Sequence, residues 1–453
     1  MDIIIVGGGK VGTTILQDLV REGHNVVAID SDPDAIGEIS GIYDVMCVCG
    51  NGVDWETLTE AGVENAQLLI AATGSDEFNM LCCFMAKRLG AKNTIARIRN
   101  PEYNDKSLSF IKQTLDLSFA INPDSLAASE LLHLLRMTGV ESVETFSRKT
   151  FEIVELILKE NSVLCGLSLM EMKKKYTASY LVGTVQRGGE AIIPDGAFIL
   201  QSGDRIGLTA EPSEMEQLLR MLGISTERAK SVMIIGAGRT TFYLVKMLLA
   251  SGCRVTIIEK NKEICEAMAE ALPEAIVVCG DGAKEELLLE EGLDGMDAFV
   301  TLTGIDEENI LLSYLAKSRG VPRVITKINR EDFHSMAEKL GLDCIITPRN
   351  LVSGVLTRYA RALQGAQGSS KIETLYKLGD GKVEALEFVV GEDFSFCHIP
   401  LKDLKIKKNI LIAGIIRKRK ALIPTGADCI LPEDRVVVLA AGHVLSDLAD
   451  IME

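Results

Sequence analysis

A helix needs roughly 18–20 consecutive apolar residues to cross a bilayer, and no stretch of this sequence approaches that. The cluster Leu131-Leu132-His133-Leu134-Leu135 is far too short, so any membrane role must come through a partner. The amino terminus enters an apolar run within two residues, which leaves no room for a charged leader and signal-type core. Positive charge is also short: 48 Lys and Arg stand against 64 Asp and Glu, a formal net charge of −16. That argues against a duplex nucleic-acid binder, which needs cationic surface to displace phosphate counterions. The eleven cysteines contain no CxxC pair and no spacing of a disulfide framework or zinc site, so a reducing cytosol is expected. Five histidines, His24, His133, His334, His398 and His443, share no spacing typical of a metal pair or a triad. They read as scattered surface or helix residues, and no metal site and no catalytic residue is expected. A P-loop GxxxxGK[ST] and a nucleophile elbow GxSxG are both missing.

What the chain does have, it has twice. Gly7-Gly8-Gly9-Lys10-Val11-Gly12 followed by Asp30 returns 229 residues later as Gly236-Ala237-Gly238-Arg239-Thr240-Thr241 followed by Glu259. Cys49-Gly50-Asn51-Gly52 returns as Cys279-Gly280-Asp281-Gly282, and Thr73-Gly74-x-Asp76-Glu77-x-Asn79 as Thr303-Gly304-x-Asp306-Glu307-x-Asn309, both at an offset of 230. Further on, Ile193-Pro194-Asp195-Gly196 and Asp204-Arg205 match Ile423-Pro424-Thr425-Gly426 and Asp434-Arg435. The duplication therefore spans nearly the whole chain, and with 453 residues and 47% hydrophobic content it suits four compact domains.

In the first half, short β-branched runs at 3–6, 26–29, 45–49, 68–73, 94–98 and 119–121 alternate with helical patterns. The second half repeats them at 232–235, 255–258, 276–278, 299–302, 324–328 and 344–346. Such alternation predicts βαβ units around a parallel sheet buried on both faces. The expected fold class is α/β: two tandem Rossmann-type, doubly wound units at 1–138 and 230–362. Small α+β domains follow at 141–224 and 371–453, where runs such as 151–158, 180–186, 191–194 and 204–209 read as short strands. Leu126, Leu131, Leu134 and Leu135, and later Leu351, Val355, Leu356 and Tyr359, are spaced for apolar helix faces. Each face either covers its own sheet or packs against another subunit.

A glycine loop between a strand and a helix lets backbone N–H groups approach a pyrophosphate at the helix amino terminus. Gly7, Gly8, Gly9, Lys10 and Val11 supply that loop, and Asp30, eighteen residues past Gly12, is placed to accept both ribose hydroxyls of an adenosine. The acid would repel a 2′-phosphate, so NAD is favoured over NADP. Thr73 and Gly74, at the end of the fourth strand, and Asn51, in the repeated Cys49 to Gly52 element, add polar atoms at the same edge. Arg97, at the fifth strand, suits a nucleotide phosphate, with a surface salt bridge as the alternative. Asp76, Glu77 and Asn79 suit a ligand-edge role or a helix cap. In the second half Gly236, Ala237, Gly238, Arg239, Thr240 and Glu259 form the corresponding set, but Thr241 stands where the third glycine belongs. That set is either a second nucleotide site or a vestigial or differently selective one. Cys47, Cys49, Cys82 and Cys83 are expected in the core.

The glycine loop with its acid, the Thr73 to Asn79 element, Arg97, Asn122-Pro123 and a small domain closing on Gly203-Asp204-Arg205 together resemble the RCK (KTN) family that regulates potassium conductance. The resemblance covers essentially all 453 residues. Two such units in one chain look like the peripheral regulatory subunit of bacterial potassium-uptake systems. The resemblance implies that the Rossmann-type units bind NAD(H) or ATP/ADP. It also implies that the chain forms a homotetrameric ring on the cytoplasmic face of a TrkH/TrkG-type membrane protein and controls its ion flow. The competing readings are an NAD-dependent dehydrogenase or reductase and a soluble sensor without a channel partner.

Overall fold

The computed structural model describes residues 1–103, 105–136, 140–147, 150–224, 228–342, 344–364, 370–379 and 381–453. Residue 138, the expected end of the first unit, lies outside them. The first unit runs β1 (Asp2–Val6), α1 (Lys10–Arg21), β2 (Asn25–Asp30), α2 (Pro33–Ile42), β3 (Met46–Cys49), α3 (Trp55–Glu60), β4 (Leu68–Ala71), α4 (Asp76–Leu89), β5 (Thr94–Arg97), α5 (Asp105–Thr114), β6 (Phe119–Ile121) and α6 (Pro123–Arg136). Its strands lie in the order β3-β2-β1-β4-β5-β6, all parallel. The order reverses beside β1, so the crevice between β1 and β4 opens at the strands' carboxyl ends, where doubly wound folds hold ligands.

An antiparallel sheet follows: β7 (Ser142–Phe146), β8 (Phe151–Ile157), α7 (Leu169–Lys175), β9 (Tyr180–Arg187), β10 (Glu190–Ile192), β11 (Arg205–Ala210) and α8 (Pro212–Met221), with strand order β10-β9-β11-β8-β7. The second half repeats both layers. Its parallel unit is β12 (Ser231–Ile235), α9 (Arg239–Ala250), β13 (Arg254–Glu259), α10 (Lys262–Ala271), β14 (Ile276–Cys279), α11 (Glu285–Glu290), β15 (Ala298–Thr301), α12 (Asp306–Ser318), β16 (Arg323–Lys327), α13 (His334–Lys339), β17 (Ile345–Ile346) and α14 (Pro348–Gln364). Its antiparallel sheet is β18 (Ser370–Leu378), β19 (Val383–Val390), β20 (Ile410–Arg417), β21 (Lys420–Leu422) and β22 (Arg435–Ala441). Strand orders β14-β13-β12-β15-β16-β17 and β18-β19-β22-β20-β21 mirror the first half, so the fold is the expected pair of Rossmann-type units, each followed by a small α+β domain.

The two long connecting helices cover mainly the other half's sheet rather than their own, although Leu126 and Leu351 pack against their own unit's core. Ala127, Ala128, Leu131, Leu134 and Leu135 of α6 are buried in one core with Val232, Ile234, Leu244 and Leu248 of the second unit. Conversely, Val352, Leu356 and Ala360 of α14 share a core with Ile3, Ile5, Ile15 and Leu19 of the first unit. Each half thus covers the other's sheet within one chain, which is open to a duplicated sequence because the two covered surfaces are near copies. The small domains also pack on each other. Phe146, Phe151 and Ile153 of the first share a core with Ala413, Val437 and Leu439 of the second.

Cys82 and Cys83 are fully buried, as expected, but Cys49 is exposed and Cys47 only half-buried. Their strand β3 ends the sheet, so one of its long sides faces solvent. His24, in the turn between α1 and β2, is 7% exposed and neither ring nitrogen has a partner. Burial, then the amino-terminal charge and Arg361, lower its pKa from 6.5 to about 4. Between those values the unfolded chain takes up a proton that the folded chain refuses. The stability is therefore intact above pH 6.5 and declines as pH falls toward 4, by up to about 3 kcal/mol. A His24→Gln variant is expected to lose part of that slope in urea titrations at pH 7 and 5; superimposable slopes would refute the assignment.

Candidate nucleotide site

At the β1–α1 junction the chain leaves the strand through Gly7, whose φ of 109° is left-handed. A Cβ there would stand 3.0 Å from the backbone of Ala72 and Thr73, so this turn admits only glycine. Gly12 is held more tightly still, since a Cβ on it would fall 1.8 Å from the Gly7 carbonyl oxygen. The first turn of α1 therefore lies directly under the loop. Gly9 caps the helix from an extended conformation and Lys10 begins it.

Beneath this loop is a cavity of about 680 Å³. Its wall includes Gly7, Gly9, Lys10, Val11, Asp30, Asn51, Thr73, Gly74 and Arg97, so nine of the ten candidates from the first half surround one space. The tenth, Gly8, donates its N–H to Asp30 Oδ2 at 2.5 Å. Asp30 Oδ1 accepts from Asp32 N at 2.9 Å. The carboxylate thus braces the glycine loop through Oδ2 and its own turn after β2 through Oδ1, and each oxygen retains a lone pair for a ribose.

Across the crevice, Arg97 Nη1 donates to the Thr73 carbonyl at 3.0 Å, and its Nε is buried without a partner. Burial, reinforced by Arg99, lowers its pKa, while Asp124 and Asp76 oppose the shift. A guanidinium in that state is improved by an anion. Thr73 and Gly74 of the Thr73 to Asn79 element line the cavity, but the helix cap expected of Asp76 falls to its neighbour. Ser75, not Asp76, caps α4 by accepting from Phe78 N. Asn79, 0% exposed, accepts from Thr73 N and donates to the Arg97 carbonyl. Asp76 accepts from Arg99 N and Asn100 N. These side chains tie the ends of β4 and β5 together, which fixes where Thr73 and Arg97 stand.

The second unit reproduces the frame. Glu259 accepts from Ala237 N and Asn261 N, both at 2.9 Å. Lys327 Nζ donates to the Thr303 carbonyl at 3.0 Å, Asn309 accepts from Thr303 N, and Asp306 accepts from Asn329 N and Arg330 N. The loops differ in chemistry. Gly236 and Ala237 are buried, and Gly238 and Arg239 exposed. Thr241, wholly buried, donates its hydroxyl to the Gly236 carbonyl at 2.6 Å, so a hydrogen bond stands where Gly12 makes bare contact. Thr240 is not free for a ligand, because its hydroxyl donates to Asp124 Oδ1 at 2.9 Å. Asp124, on α6, also accepts from Arg99 Nε at 2.8 Å, and Tyr243 OH accepts from Asn122 Nδ2 at 3.0 Å. The first turn of α6 therefore joins the second glycine loop to the strand edge of the first site.

Sequence reasoning missed Ser31, Gly50, Gly52 and Phe78, which also line the first cavity. Phe78 was hidden by the repeat, since its counterpart is Glu308. Among the described residues no group of three His, Cys, Asp or Glu could hold a metal ion, and no helix is long and apolar enough to cross a membrane.

The model of the TrkA-N domain matches residues 3–113 and 232–348, and that of the TrkA-C domain matches 153–223 and 385–453. A Trk system potassium uptake protein TrkA homolog of Archaeoglobus fulgidus is 32% identical, covering all of both chains. The Trk system potassium uptake protein TrkA of Vibrio alginolyticus is 30% identical over 97% of this chain and 95% of its own. Among solved structures, the GsuK RCK domain superposes with a TM-score of 0.64 at 17% identity, covering 97% of this chain and 92% of that one. A GsuK channel bound to NAD gives 0.63 at 16% identity, covering 97% and 77%.

Proposed function

The chain belongs to the TrkA family of tandem TrkA-N and TrkA-C domains, and on that premise we propose that it is the nucleotide-binding regulatory subunit of a Trk-type potassium uptake system. It binds NAD(H), with ATP and ADP as competing ligands, and passes their identity to a TrkH/TrkG-type membrane partner. The observation that carries this reading is the first cavity, which the glycine loop, Asp30 and Arg97 line together. Asp30 suits the ribose, and the helix amino terminus and Arg97 suit phosphates. A neighbour of the same fold, the GsuK channel, has been captured with NAD, which supports the ligand class. The relatives are named as potassium uptake components and not as enzymes, which speaks against the dehydrogenase reading.

The protein acts at the inner face of the cell membrane as a homotetrameric ring. Leu81 on α4 and Leu311 on α12 are 48% and 67% exposed at equivalent positions of the repeat, which suits assembly through like faces. A nucleotide moves such a ring only through unequal affinity for its shapes, and shifting a population from 1:99 to 99:1 takes about 5.5 kcal/mol in total. Four chains share that requirement.

Calorimetric titration with NADH, NAD, ATP and ADP tests the proposal. Because Asp30 also braces Gly8, Asp30→Asn is the informative variant: it keeps the side chain's shape and removes its charge. It is expected to weaken binding by about tenfold or more, the loss of one charge-assisted hydrogen bond. Arg97→Ala is expected to separate ATP from ADP less well. Unchanged titrations in both variants, or steady NADH consumption with a metabolite, would sink the reading.

A further inference from the structure

The second unit carries two thiols that nucleotide binding does not use. Cys265, in the first turn of α10, is 6% exposed, and its Sγ donates to the Glu259 carbonyl at 3.2 Å. Cys279 ends β14, lies opposite Glu259 in the parallel register and is exposed. The Gly280 N–H and the Cys265 thiol share the Glu259 carbonyl, which brings the end of β14 and the first turn of α10 to one place. Both sulphurs therefore sit beside the residue whose carboxylate holds the second glycine loop through Ala237 N. The fold does not require this pairing, because the first unit keeps Cys49 in the place of Cys279 but has Ile36 in the place of Cys265.

We propose that Cys265 and Cys279 form a reversible disulfide when the protein meets hydrogen peroxide, and that this link weakens nucleotide binding at the second unit. Exposed Cys279 reacts first. Its thiolate attacks one peroxide oxygen, the O–O bond breaks, and the departing hydroxide takes a proton to become water, leaving a sulfenic acid on Cys279. Cys265 then attacks the sulfenic sulphur. The S–S bond forms as the S–O bond breaks, and the Cys265 proton leaves with the hydroxide as a second water. Two electrons pass from the two thiols to one peroxide. The order follows from the surroundings: burial, with Cys279 and Glu259 adding to it, pushes the Cys265 thiol up to about 11, which suits a resolving thiol better than an attacking one. A reducing cytosol reverses the link, as expected of a sensing disulfide.

The consequence is local. The link clamps the first turn of α10 to the end of β14 on either side of Glu259 and removes the S–H donor from the Glu259 carbonyl. The Gly280 N–H, also on that carbonyl at 2.9 Å, belongs to the same β14 end. Oxidation thus restrains the edge on which an adenosine would lie. This consequence rests on the second unit holding nucleotide; the disulfide does not.

The full-length reduced protein would be treated with hydrogen peroxide, quenched with N-ethylmaleimide, digested and analysed by mass spectrometry. The expected product is a peptide pair joining Cys265 to Cys279, two hydrogens lighter and restored by dithiothreitol. Cys265→Ser should leave a Cys279 sulfenic acid that dimedone traps, and Cys279→Ser should form no link at Cys265. A wild-type protein in which dimedone labels Cys279 without a link, or in which Cys279 joins Cys49 of a second copy, would overturn the proposal. Oxidised and reduced protein would then be titrated with NADH and ATP, with Glu259→Ala as the variant silent at the second unit. Second-unit binding is expected to weaken by about fivefold or more on oxidation, with first-unit binding unchanged. Equal binding in the linked and reduced protein overturns the coupling. No second-unit binding in the reduced protein instead removes the reading of that unit as a nucleotide site.

Discussion

Arg361→Ala is expected to destabilise the protein by about 3–5 kcal/mol, the penalty for breaking a buried ion pair from one side. Arg361, in α14, is 1% exposed. Its guanidinium donates from Nε and Nη2 to Glu22, at the end of α1, and from Nη1 and Nη2 to Glu384 on β19, all at 2.6–2.7 Å. One side chain thereby fastens the first Rossmann-type unit to the second small domain. Its removal leaves two carboxylates buried side by side with no cation between them, and burial of like charge without a partner is what makes the loss large. In a chain of four packed domains the loss should appear as an early partial transition, with the second small domain undocking before the sheets melt. Denaturant unfolding followed by hydrogen exchange over 370–379 and 381–453 would show it. Glu22→Gln with Glu384→Gln in the Arg361→Met background should recover much of the stability. A single transition at the wild-type midpoint in Arg361→Ala would show that the bracket contributes nothing to docking.

Gly12→Ala is expected to abolish nucleotide binding at the first unit, a loss of more than roughly 100-fold, and to lower stability by about 1–3 kcal/mol or more as an overpacked site. The added Cβ would fall 1.8 Å from the Gly7 carbonyl oxygen. Backbone atoms cannot yield as a flexible side chain does, so either the loop lifts off α1 or the helix shifts. Either movement takes the loop's N–H groups off the position a pyrophosphate needs. The second unit supplies the comparison. Thr241→Gly there leaves the Gly236 carbonyl without its hydroxyl donor, at about 1–2 kcal/mol, and is not expected to restore the first loop's shape, because Thr240 remains bonded to Asp124. NADH titration and thermal melting of the two variants check both statements. Wild-type affinity in Gly12→Ala would mean that the tight contact under the loop is irrelevant to binding.

Much of the first site was legible because its elements are local. A left-handed turn demands glycine, a strand end places a carboxylate, and both leave marks within about 25 residues of chain. Recurrence at a fixed offset then separated these marks from chance. The same comparison misled where the halves differ. Phe78 faces the cavity but is Glu308 in the other copy, so a reading built on shared residues passed over it. Asp76 and Asn79 recur, yet they hold strands together, because a buried amide at a sheet edge can satisfy the backbone of two strands at once. Cys49 was taken for core because alternation along a strand says which residues share a face and not whether the strand lies at the edge of its sheet.

The sequence by itself determined the duplication, the parallel sheets, the glycine loops with their acids and the small domains, since each of these depends on period, turn chemistry and spacing along the chain. Only the tertiary structure decided which half covers which. Leu131 of α6 and Leu356 of α14 carry the same apolar character toward either sheet. The choice is made by contacts between residues more than a hundred positions apart, such as Arg361 with Glu22 and Thr240 with Asp124. Apolar burial is non-directional and does not distinguish two near-identical surfaces; buried ion pairs and hydrogen bonds do, because a wrong partner leaves a charge or a donor unsatisfied.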